Sequence, residues 1–221
     1  MRFMRPVIVV LFGILPAGLF FFWIFQGCRL PVADCFRVGV DYTIPDGWRP
    51  LWNLFLFCTF GFLHSALAEI GMNRLVYMVI AGLTALAVIA LWQPLAGELW
   101  RLGDEQTARW FGAIQFLLWL VLHGWIITVM GPAEFFGFRH PIPRLVTSGP
   151  YAFCRHPMHL NILLGLLVTP TMTADRMTML LAVVLYLTVA IPAEERRLAE
   201  EYSLAWDVYT RRTPMLFPGV L

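Results

Sequence analysis

Four stretches of the chain are long and apolar enough to cross the hydrocarbon core of a bilayer, and they constrain the fold more than any other feature. A helix that spans the core needs about 20 apolar residues, because each residue advances it by about 1.5 Å. The stretches are Val7–Gln26, Leu51–Ile70, Leu75–Leu95 and Trp110–Met130. The composition agrees, because 14% of the 221 residues are charged and 59% are hydrophobic, whereas a soluble domain carries about 25% charged residues. We therefore expect an all-α, polytopic integral membrane bundle.

Two shorter apolar runs follow the fourth stretch, and they predict a short helical hairpin. They are Met158–Thr169 and Met177–Ile191, separated by a polar segment at 170–176. Each is short for a perpendicular span, so the hairpin need not reach the far surface. Pro157 favours a helix start, because the first helical residue has an unpaired N–H in any case. Together with the long stretches, these runs predict about six membrane segments.

The tail after the hairpin has the pattern of an amphipathic helix. Pro192 is expected to end the last apolar run and to open this helix, with acidic side chains in its first turn, where they suit the helix dipole. One face would be apolar and the other charged, through Leu198, Tyr202, Trp206 and Tyr209 against Arg196, Glu200, Asp207 and Arg211. Such a helix is expected on the cytosolic side, under the membrane domain.

The distribution of arginine predicts the orientation, because cytosolic loops carry an excess of basic residues. With the N-terminus inside, ten arginines face the cytosol and six face outward: Arg2, Arg5, Arg74, Arg139, Arg144, Arg155, Arg196, Arg197, Arg211 and Arg212, against Arg29, Arg37, Arg49, Arg101, Arg109 and Arg176. This bias predicts a protein of the bacterial inner membrane with both termini in the cytosol. Segments 131–157 and 192–221 then lie on the same side.

The densest polar segment, residues 144–159, directly precedes the hairpin. Because the hairpin returns the chain to the same membrane edge, we expect Arg155, His156 and His159 to lie near the carboxylate pair at 194–195. A polar cluster at the water–lipid boundary suits a cytosolic polar cofactor together with a membrane-dissolved acceptor. Taken alone, each block also has a purely structural interpretation. Residues 155–157 fit an interfacial anchor at a helix start, and residues 194–195 fit a helix start stabilised by the helix dipole.

Three blocks taken together resemble the isoprenylcysteine carboxyl methyltransferase family of membrane enzymes. That family has a Gly-x-Tyr-x-x-x-Arg-His-Pro block, a hairpin, a Glu-Glu-x-x-Leu block and a closing segment with Tyr and Pro; the counterparts here are residues 145–157, 194–198 and 209–214. Within that group, the chain from about residue 50 to residue 218 is most similar to the methanethiol S-methyltransferase branch. The shared segments are Leu63-His-Ser65, Trp92-Gln-Pro94, Gly124-Trp125, Phe136-Gly-Phe-Arg139 and Thr169-Pro-Thr-Met-Thr173.

The resemblance implies an S-adenosylmethionine-dependent methyltransferase. Its four N-terminal spans would occupy residues 1–130, and its cofactor-binding region residues 131–221. The family's cofactor contacts carry over to Leu145, Val146, Tyr151, His156, His159 and Glu194. His159 stands where the isoprenylcysteine enzymes usually have tyrosine. Those enzymes also place an arginine for the substrate carboxylate four residues before the first Glu, where this chain has Ala190; a neutral or thiol acceptor is therefore favoured.

Methylation of a thiol requires its deprotonation, because the thiolate is the nucleophile. Arg155 and His156 are the expected catalytic residues, since a guanidinium or an imidazole nearby favours the thiolate. His64 and His123 lie inside helices at similar depth, roughly 9–12 Å below the cytosolic surface at 1.5 Å per residue. As ionisable groups within membrane helices they are candidates to line an acceptor chamber. Hydrogen bonding between helices would explain both histidines equally well.

Three functions stay open at this point. The first is S-methylation of a small thiol, and the second is methylation of a lipid-borne group such as a phospholipid amine or a prenylcysteine carboxylate. The third is a non-catalytic membrane protein on the same scaffold, which would have no affinity for the cofactor. The expected partners are a small-molecule or lipid-like acceptor and membrane lipid. No nucleic acid is expected at a net charge of +2, and no metal, since no Cys/His spacing typical of a metal site occurs.

Overall fold

The computed structural model describes residues 4–26, 28, 44–70, 72–136, 138 and 144–217. The N-terminal helix consists of α1 (Met4–Val9), a π-helical turn (Val10–Ile14) and α2 (Leu15–Phe25). The middle of the chain forms α3 (Arg49–Glu69), α4 (Arg74–Leu91) and α5 (Glu105–Met130). The rest forms α6 (Pro132–Phe135), α7 (Pro157–Leu167), α8 (Ala174–Tyr202) and α9 (Leu204–Thr210).

Within the described residues, four helical segments are long and apolar enough to cross a membrane: Pro6–Phe25, Asp46–Leu67, Glu105–Met130 and Ala174–Tyr202. Large apolar side chains cover their outer surfaces; Phe62 is 70% exposed and Val189 is 72% exposed. Such surfaces are stable when lipid rather than water covers them. The expectation of a helical membrane protein is confirmed, and the total of about six segments stays a prediction.

Helix α8 differs from its predicted form. The expected break at Pro192 is wrong, because α8 runs through this proline for 29 residues. The second arm of the hairpin is therefore long rather than short. A proline inside a helix removes one hydrogen bond and costs about 3 kcal/mol. Pro192 is exposed and α8 packs along α3 and α7, so tertiary packing outweighs the local signal.

The single amphipathic helix predicted for the tail is also wrong. The chain turns at Ser203, whose φ of 45° ends α8 before α9 begins. Trp206 and Tyr209 are buried, as their shared face predicts, whereas Leu204 is 75% exposed. The inner face of α9 therefore packs on protein rather than on the bilayer surface.

One two-stranded ribbon makes the all-α expectation incomplete. Strand β1 (Glu98–Arg101) pairs antiparallel with β2 (Thr171–Thr173). The 11-residue α7 is too short to span a bilayer core, so the chain continues beyond it in an extended form. This extended backbone needs hydrogen-bond partners, and β1 supplies them.

Helix α4, which corresponds to the predicted stretch Leu75–Leu95, ends at Leu91, four residues before its predicted end. Polar contacts hold the segment that follows it in an extended conformation. The Trp92 indole N–H donates to the fully buried Asp175 carboxylate at 2.8 Å. The amide of Asn53 donates to the carbonyl oxygen of Gln93 at 2.7 Å and accepts from its backbone N–H at 2.9 Å. These bonds tie α3, the end of α4 and the start of α8 together at the edge opposite the polar cluster.

Candidate active site

A polar cluster forms where the segment before α7 meets the last third of α8. Nε and Nη2 of Arg155 donate to the Glu195 carboxylate at 2.8 and 3.2 Å. Nε2 of His156 lies 3.1 Å from Oε1 of Glu195, and its Nδ1 lies 3.5 Å from Oε2 of Glu194. The predicted approach of the two sequence blocks is therefore confirmed.

The loop before α7 is held in place from two sides. A 3-10 turn (Gly149–Ala152) begins at a glycine with φ of 62°, and a Cβ there would lie 2.9 Å from a methyl carbon of Val129 in α5. On the other side, the Tyr209 hydroxyl donates to the carbonyl oxygen of Tyr151 at 2.6 Å. The loop is thus held between α5 and α9. Pro157 begins α7 directly after His156.

The C-terminal segment after α9 forms one wall of the cluster. Backbone N–H groups of Arg155 and His156 donate to the carbonyl oxygens of Pro214 and Met215 at 2.9 and 3.2 Å. Nη1 of Arg155 donates to the carbonyl oxygens of Thr210 and Thr213 at 3.3 and 3.1 Å. The closing Tyr/Pro block of the sequence is therefore part of the site's framework.

The interior of the cluster is rich in hydrogen-bond acceptors. The His156 side chain is 3% exposed and that of Glu194 is 37% exposed. Nδ1 of His159 is buried without a hydrogen-bond partner, and its ring lies 5.5 Å from that of His156. A buried polar atom without a partner costs about 1–3 kcal/mol, so Nδ1 of His159 favours a bound polar group. Because the Glu194 carboxylate only accepts hydrogen bonds, that group should carry N–H or O–H donors or a positive charge. The amino and hydroxyl groups and the sulfonium of S-adenosylmethionine fit this requirement.

The same three residues also have the spacing of a metal site. Among the described residues, one ligand-type atom from each of His156, His159 and Glu194 lies within 4.8 Å of the other two. Two imidazoles and a carboxylate are ligands that a divalent cation accepts. The cluster is therefore compatible with either a donor-bearing cofactor or a metal ion.

Phenols and thiols beside the cluster are held in their neutral forms. Burial, with the negative charge of Glu194, raises the pKa of Tyr151 above its ordinary value, and burial likewise raises the pKa of Tyr209. Burial also raises the pKa of the Cys154 thiol, which is 2% exposed. Tyr151 can therefore form hydrogen bonds at physiological pH but is no phenolate base, and Cys154 is a poor nucleophile.

The remaining predicted residues lie at varying positions around this centre. Leu145 and Val146 are half-buried in the segment leading into the 3-10 turn. Nε2 of His64 lies 2.7 Å from the Tyr77 hydroxyl, at the contact between α3 and α4. Nδ1 of His123 lies 3.3 Å from the Asn161 amide, at the contact between α5 and α7. The two histidines thus belong to different helix interfaces, and their role as acceptor contacts stays a prediction.

A wide apolar groove of about 640 Å³ lies apart from the polar cluster, between α5, α7 and the β-ribbon. Its lining includes Phe111, Leu118, Trp119, Asn161, Leu164 and Thr169. Pockets of about 300–1,000 Å³ with mostly apolar walls hold drug-sized apolar ligands. Its size and apolar walls suit an acyl chain or another apolar ligand.

The sequence did not single out Glu195, which the structure places at the centre of the contacts. It was expected only as one half of a carboxylate pair, and the cofactor contact was assigned to Glu194. One sequence signal could have indicated its role. The hairpin brings the dipeptide Arg155-His156 opposite the dipeptide Glu194-Glu195, so that either carboxylate could bind the guanidinium or the imidazole. Which carboxylate faces which donor depends on the rotation of α8, because neighbouring residues of a helix point about 100° apart.

Comparison with known proteins places the site within a recognised segment. Residues 107–205 match the phospholipid methyltransferase family. Methanethiol S-methyltransferase 2 of Bradyrhizobium diazoefficiens is 29% identical over 195 residues, which cover 76% of this chain and 73% of that protein. Methanethiol S-methyltransferase 1 of the same organism is 25% identical over 237 residues, which cover 96% of this chain and 82% of that protein. The resemblance indicated by the motifs is confirmed.

A further relative, which matches a shorter part of the chain, is named for metal resistance rather than for methyl transfer. The cobalt-zinc-cadmium resistance protein CzcN of Cupriavidus metallidurans is 43% identical over 77 residues, which cover 34% of this chain and 35% of that protein. No solved structure matches the chain significantly. The similarity to the methanethiol enzymes extends over most of the chain, so it bears on the membrane helices as well as on the polar site.

Proposed function

Because the chain belongs to the membrane methyltransferases of the phospholipid methyltransferase family, with methanethiol S-methyltransferases among its relatives, we propose that it S-methylates a small thiol. The observation that carries this proposal is the acceptor-rich cluster of His156, His159 and Glu194, with its unpartnered Nδ1 atom. This cluster lies within residues 131–221, the region to which we assign catalysis.

We assign S-adenosylmethionine to the cluster as the methyl donor, held by Leu145, Val146, Tyr151, His156, His159 and Glu194. The cofactor supplies an activated methyl group on a sulfonium. The half-buried Leu145 and Val146 offer apolar contact, and the neutral Tyr151 phenol offers a hydrogen bond. The carboxylate of Glu194 accepts hydrogen bonds from amino or hydroxyl groups, which an apolar residue cannot do.

The acceptor thiol must lose a proton, after which its sulfur takes the methyl group and leaves as a thioether beside S-adenosylhomocysteine. His156 is the residue that we assign to this proton, because its imidazole lies at the centre of the cluster. Arg155 acts indirectly, because its guanidinium is bound to Glu195 and to two backbone carbonyls and so fixes the carboxylate behind the imidazole. Holding acceptor and methyl group in line supplies about 7–11 kcal/mol of the rate enhancement in well-oriented reactions.

We also propose a topology in which both termini and the polar cluster face the cytosol of a bacterium, with the protein in its inner membrane. The excess of arginine on that side supports it. A cytosolic cluster at the end of membrane helices gives a water-soluble cofactor and a membrane-permeant thiol access from opposite directions.

A lipid-borne acceptor is the second candidate, and the groove between α5 and α7 favours it. Its volume of about 640 Å³ and its apolar walls suit an acyl chain, and a lipid held there would have to extend along α7 for its head group to reach the polar cluster. Ala190 stands against a carboxylate acceptor, because the position that carries an arginine in the isoprenylcysteine enzymes lacks a charge here. His64 and His123 remain our candidates for contacts to the acceptor.

An acceptor panel with radiolabelled S-adenosylmethionine tests the proposal on detergent-purified protein. We expect label transfer to methanethiol or ethanethiol, little transfer to phosphatidylethanolamine, and none to the carboxylate of a farnesylcysteine analogue. Preferred transfer to the lipid amine would establish the second candidate. Calorimetry with S-adenosylhomocysteine tests the non-catalytic alternative, which requires the absence of binding.

Chelation distinguishes a cofactor cluster from a metal cluster. We propose that the reaction needs no metal, so dialysis against EDTA should leave the rate of methyl transfer within about twofold of the untreated enzyme. Elemental analysis of the purified protein should find less than one equivalent of any divalent cation. Loss of activity on chelation that Zn²⁺ restores would instead assign His156, His159 and Glu194 to a metal ion.

A further inference from the structure

The Glu195 carboxylate contacts two other side chains of the cluster. Its Oε1 atom accepts from Nε of Arg155 at 2.8 Å and lies 3.1 Å from Nε2 of His156. Its Oε2 atom accepts from Nη2 of Arg155 at 3.2 Å. The Arg155 and Glu195 side chains are 12% and 19% exposed. A two-point, charge-assisted pair of this kind fixes both orientation and distance.

From these contacts we infer that Glu195 is a positioning residue for His156, which it holds in the tautomer with the proton on Nε2. This inference rests on the proposed function, in which His156 serves the cofactor and the acceptor. It assigns separate tasks to the carboxylate pair, with Glu194 on the ligand side and Glu195 behind the imidazole.

The tautomer follows from the chemistry of the two ring nitrogens. A carboxylate accepts hydrogen bonds but does not donate them, and a neutral imidazole has one N–H. The shorter contact, 3.1 Å at Nε2 against 3.5 Å at Nδ1, places that N–H on Glu195. Nδ1 of His156 then presents a lone pair on the side of Glu194.

Nδ1 of His156 and the Glu194 carboxylate then form a pair of hydrogen-bond acceptors, which favours a ligand that carries donors or a positive charge. A lone pair on Nδ1 and the Glu194 carboxylate repel each other at 3.5 Å unless a donor or a cation binds beside them. Nδ1 of His159, buried and without a partner, adds a third polar atom to the same group. Because Arg155 anchors Glu195 to the carbonyls of Thr210 and Thr213, the C-terminal segment is part of this positioning system.

The test compares Glu195→Gln with Glu200→Gln, a matched variant on the same helix whose side chain is exposed. The full-length protein is labelled with ¹⁵N-histidine, and the signals of His156 are assigned by their loss in His156→Gln. At about pH 8, the wild type should show a protonated Nε2 and an unprotonated Nδ1. Glu195→Gln should show a mixture of tautomers, and Glu200→Gln should match the wild type.

Binding of S-adenosylhomocysteine provides the second measurement. Glu195→Gln should raise its Kd by the factor by which the competent tautomer is depleted, about twofold for an even mixture and about tenfold where one-tenth remains, while the KM for the thiol changes less. Glu195→Asp, which keeps the charge, should recover part of the affinity and of the wild-type tautomer. It also serves as the variant of choice if Glu195→Gln fails to fold.

The outcomes separate this inference from the proposed function. If the wild type transfers no methyl group but its His156 spectrum depends on Glu195, the proposed function fails and the positioning role stands. If the wild type is active and His156 is doubly protonated, or carries its proton on Nδ1, the positioning role is overturned. An unchanged spectrum and Kd in Glu195→Gln would overturn it as well.

Discussion

Glu194→Gln is expected to weaken binding of S-adenosylhomocysteine by about tenfold to a hundredfold and to reduce methyl transfer at least as much. The substitution keeps the size of the side chain and removes its charge. A hydrogen bond to a charged group contributes about 1.5–3 kcal/mol, and about 1.4 kcal/mol corresponds to a tenfold change in Kd. Oε2 of Glu194 lies beside Nδ1 of His156, so its loss removes one of the acceptors that we assign to the cofactor.

Calorimetry on detergent-purified protein measures this effect, with Glu200→Gln as the control because Glu200 lies exposed further along α8. The thermal midpoint of both variants is recorded to separate binding from folding. Equal Kd values for Glu194→Gln and the wild type would remove Glu194 from the cofactor site. A loss shared by Glu200→Gln would indicate a general effect of charge on α8 rather than a direct contact.

The membrane helices were predictable because their signal is summed over about 20 residues. Apolar runs 7–26, 51–70 and 110–130 correspond to the helices that end at Phe25, Glu69 and Met130. Boundaries were less predictable, since they depend on contacts between distant residues. The end of α4 at Leu91 reflects the bonds of Trp92 to Asp175 and of Gln93 to Asn53, which no local pattern reveals.

Pro192 shows why a strong local signal can fail. Its effect on an isolated helix is a break, but α8 has packing partners on both sides of the proline and a polar cluster just beyond it. The carboxylates that seemed to begin a helix therefore lie within one. The tail pattern failed for a related reason, because the turn at Ser203 reorients Trp206 and Tyr209 toward the loop before α7.

The site was predictable in its topology but not in its pairings. A hairpin brings residues near 155 back to residues near 194, and this follows from chain direction alone. The matched depth of His64 and His123 did not reveal their contacts, Tyr77 for His64 and Asn161 for His123, because depth leaves the rotation of each helix undetermined; their role as acceptor contacts stays a prediction. The same rotation decides that Arg155 meets Glu195 rather than Glu194.

Among glycine-to-alanine substitutions in the described helices, Gly82→Ala is expected to cause the largest loss of stability. Gly82 lies in α4, and a Cβ there would be 1.8 Å from the carbonyl oxygen of Phe12 and 2.9 Å from its carbonyl carbon. Phe12 belongs to the π-helical turn of the N-terminal helix. Because the obstacle is backbone rather than a flexible side chain, the two helices must move apart along their contact.

Overpacking of this kind costs typically 1–3 kcal/mol and sometimes more, and we expect about 3 kcal/mol or more here. The measurement is the thermal midpoint of the helical circular dichroism signal in detergent, with Gly18→Ala in α2 as the matched control. A Cβ at Gly18 meets nothing within 4 Å, so that variant should gain slightly from the better helix propensity of alanine. Because Gly82 lies outside the polar cluster, the folded fraction of Gly82→Ala should bind S-adenosylhomocysteine with unchanged affinity. Equal midpoints for the two variants would mean that α4 and the N-terminal helix do not approach each other at Phe12, and the N-terminal helix would then need a different position in the bundle.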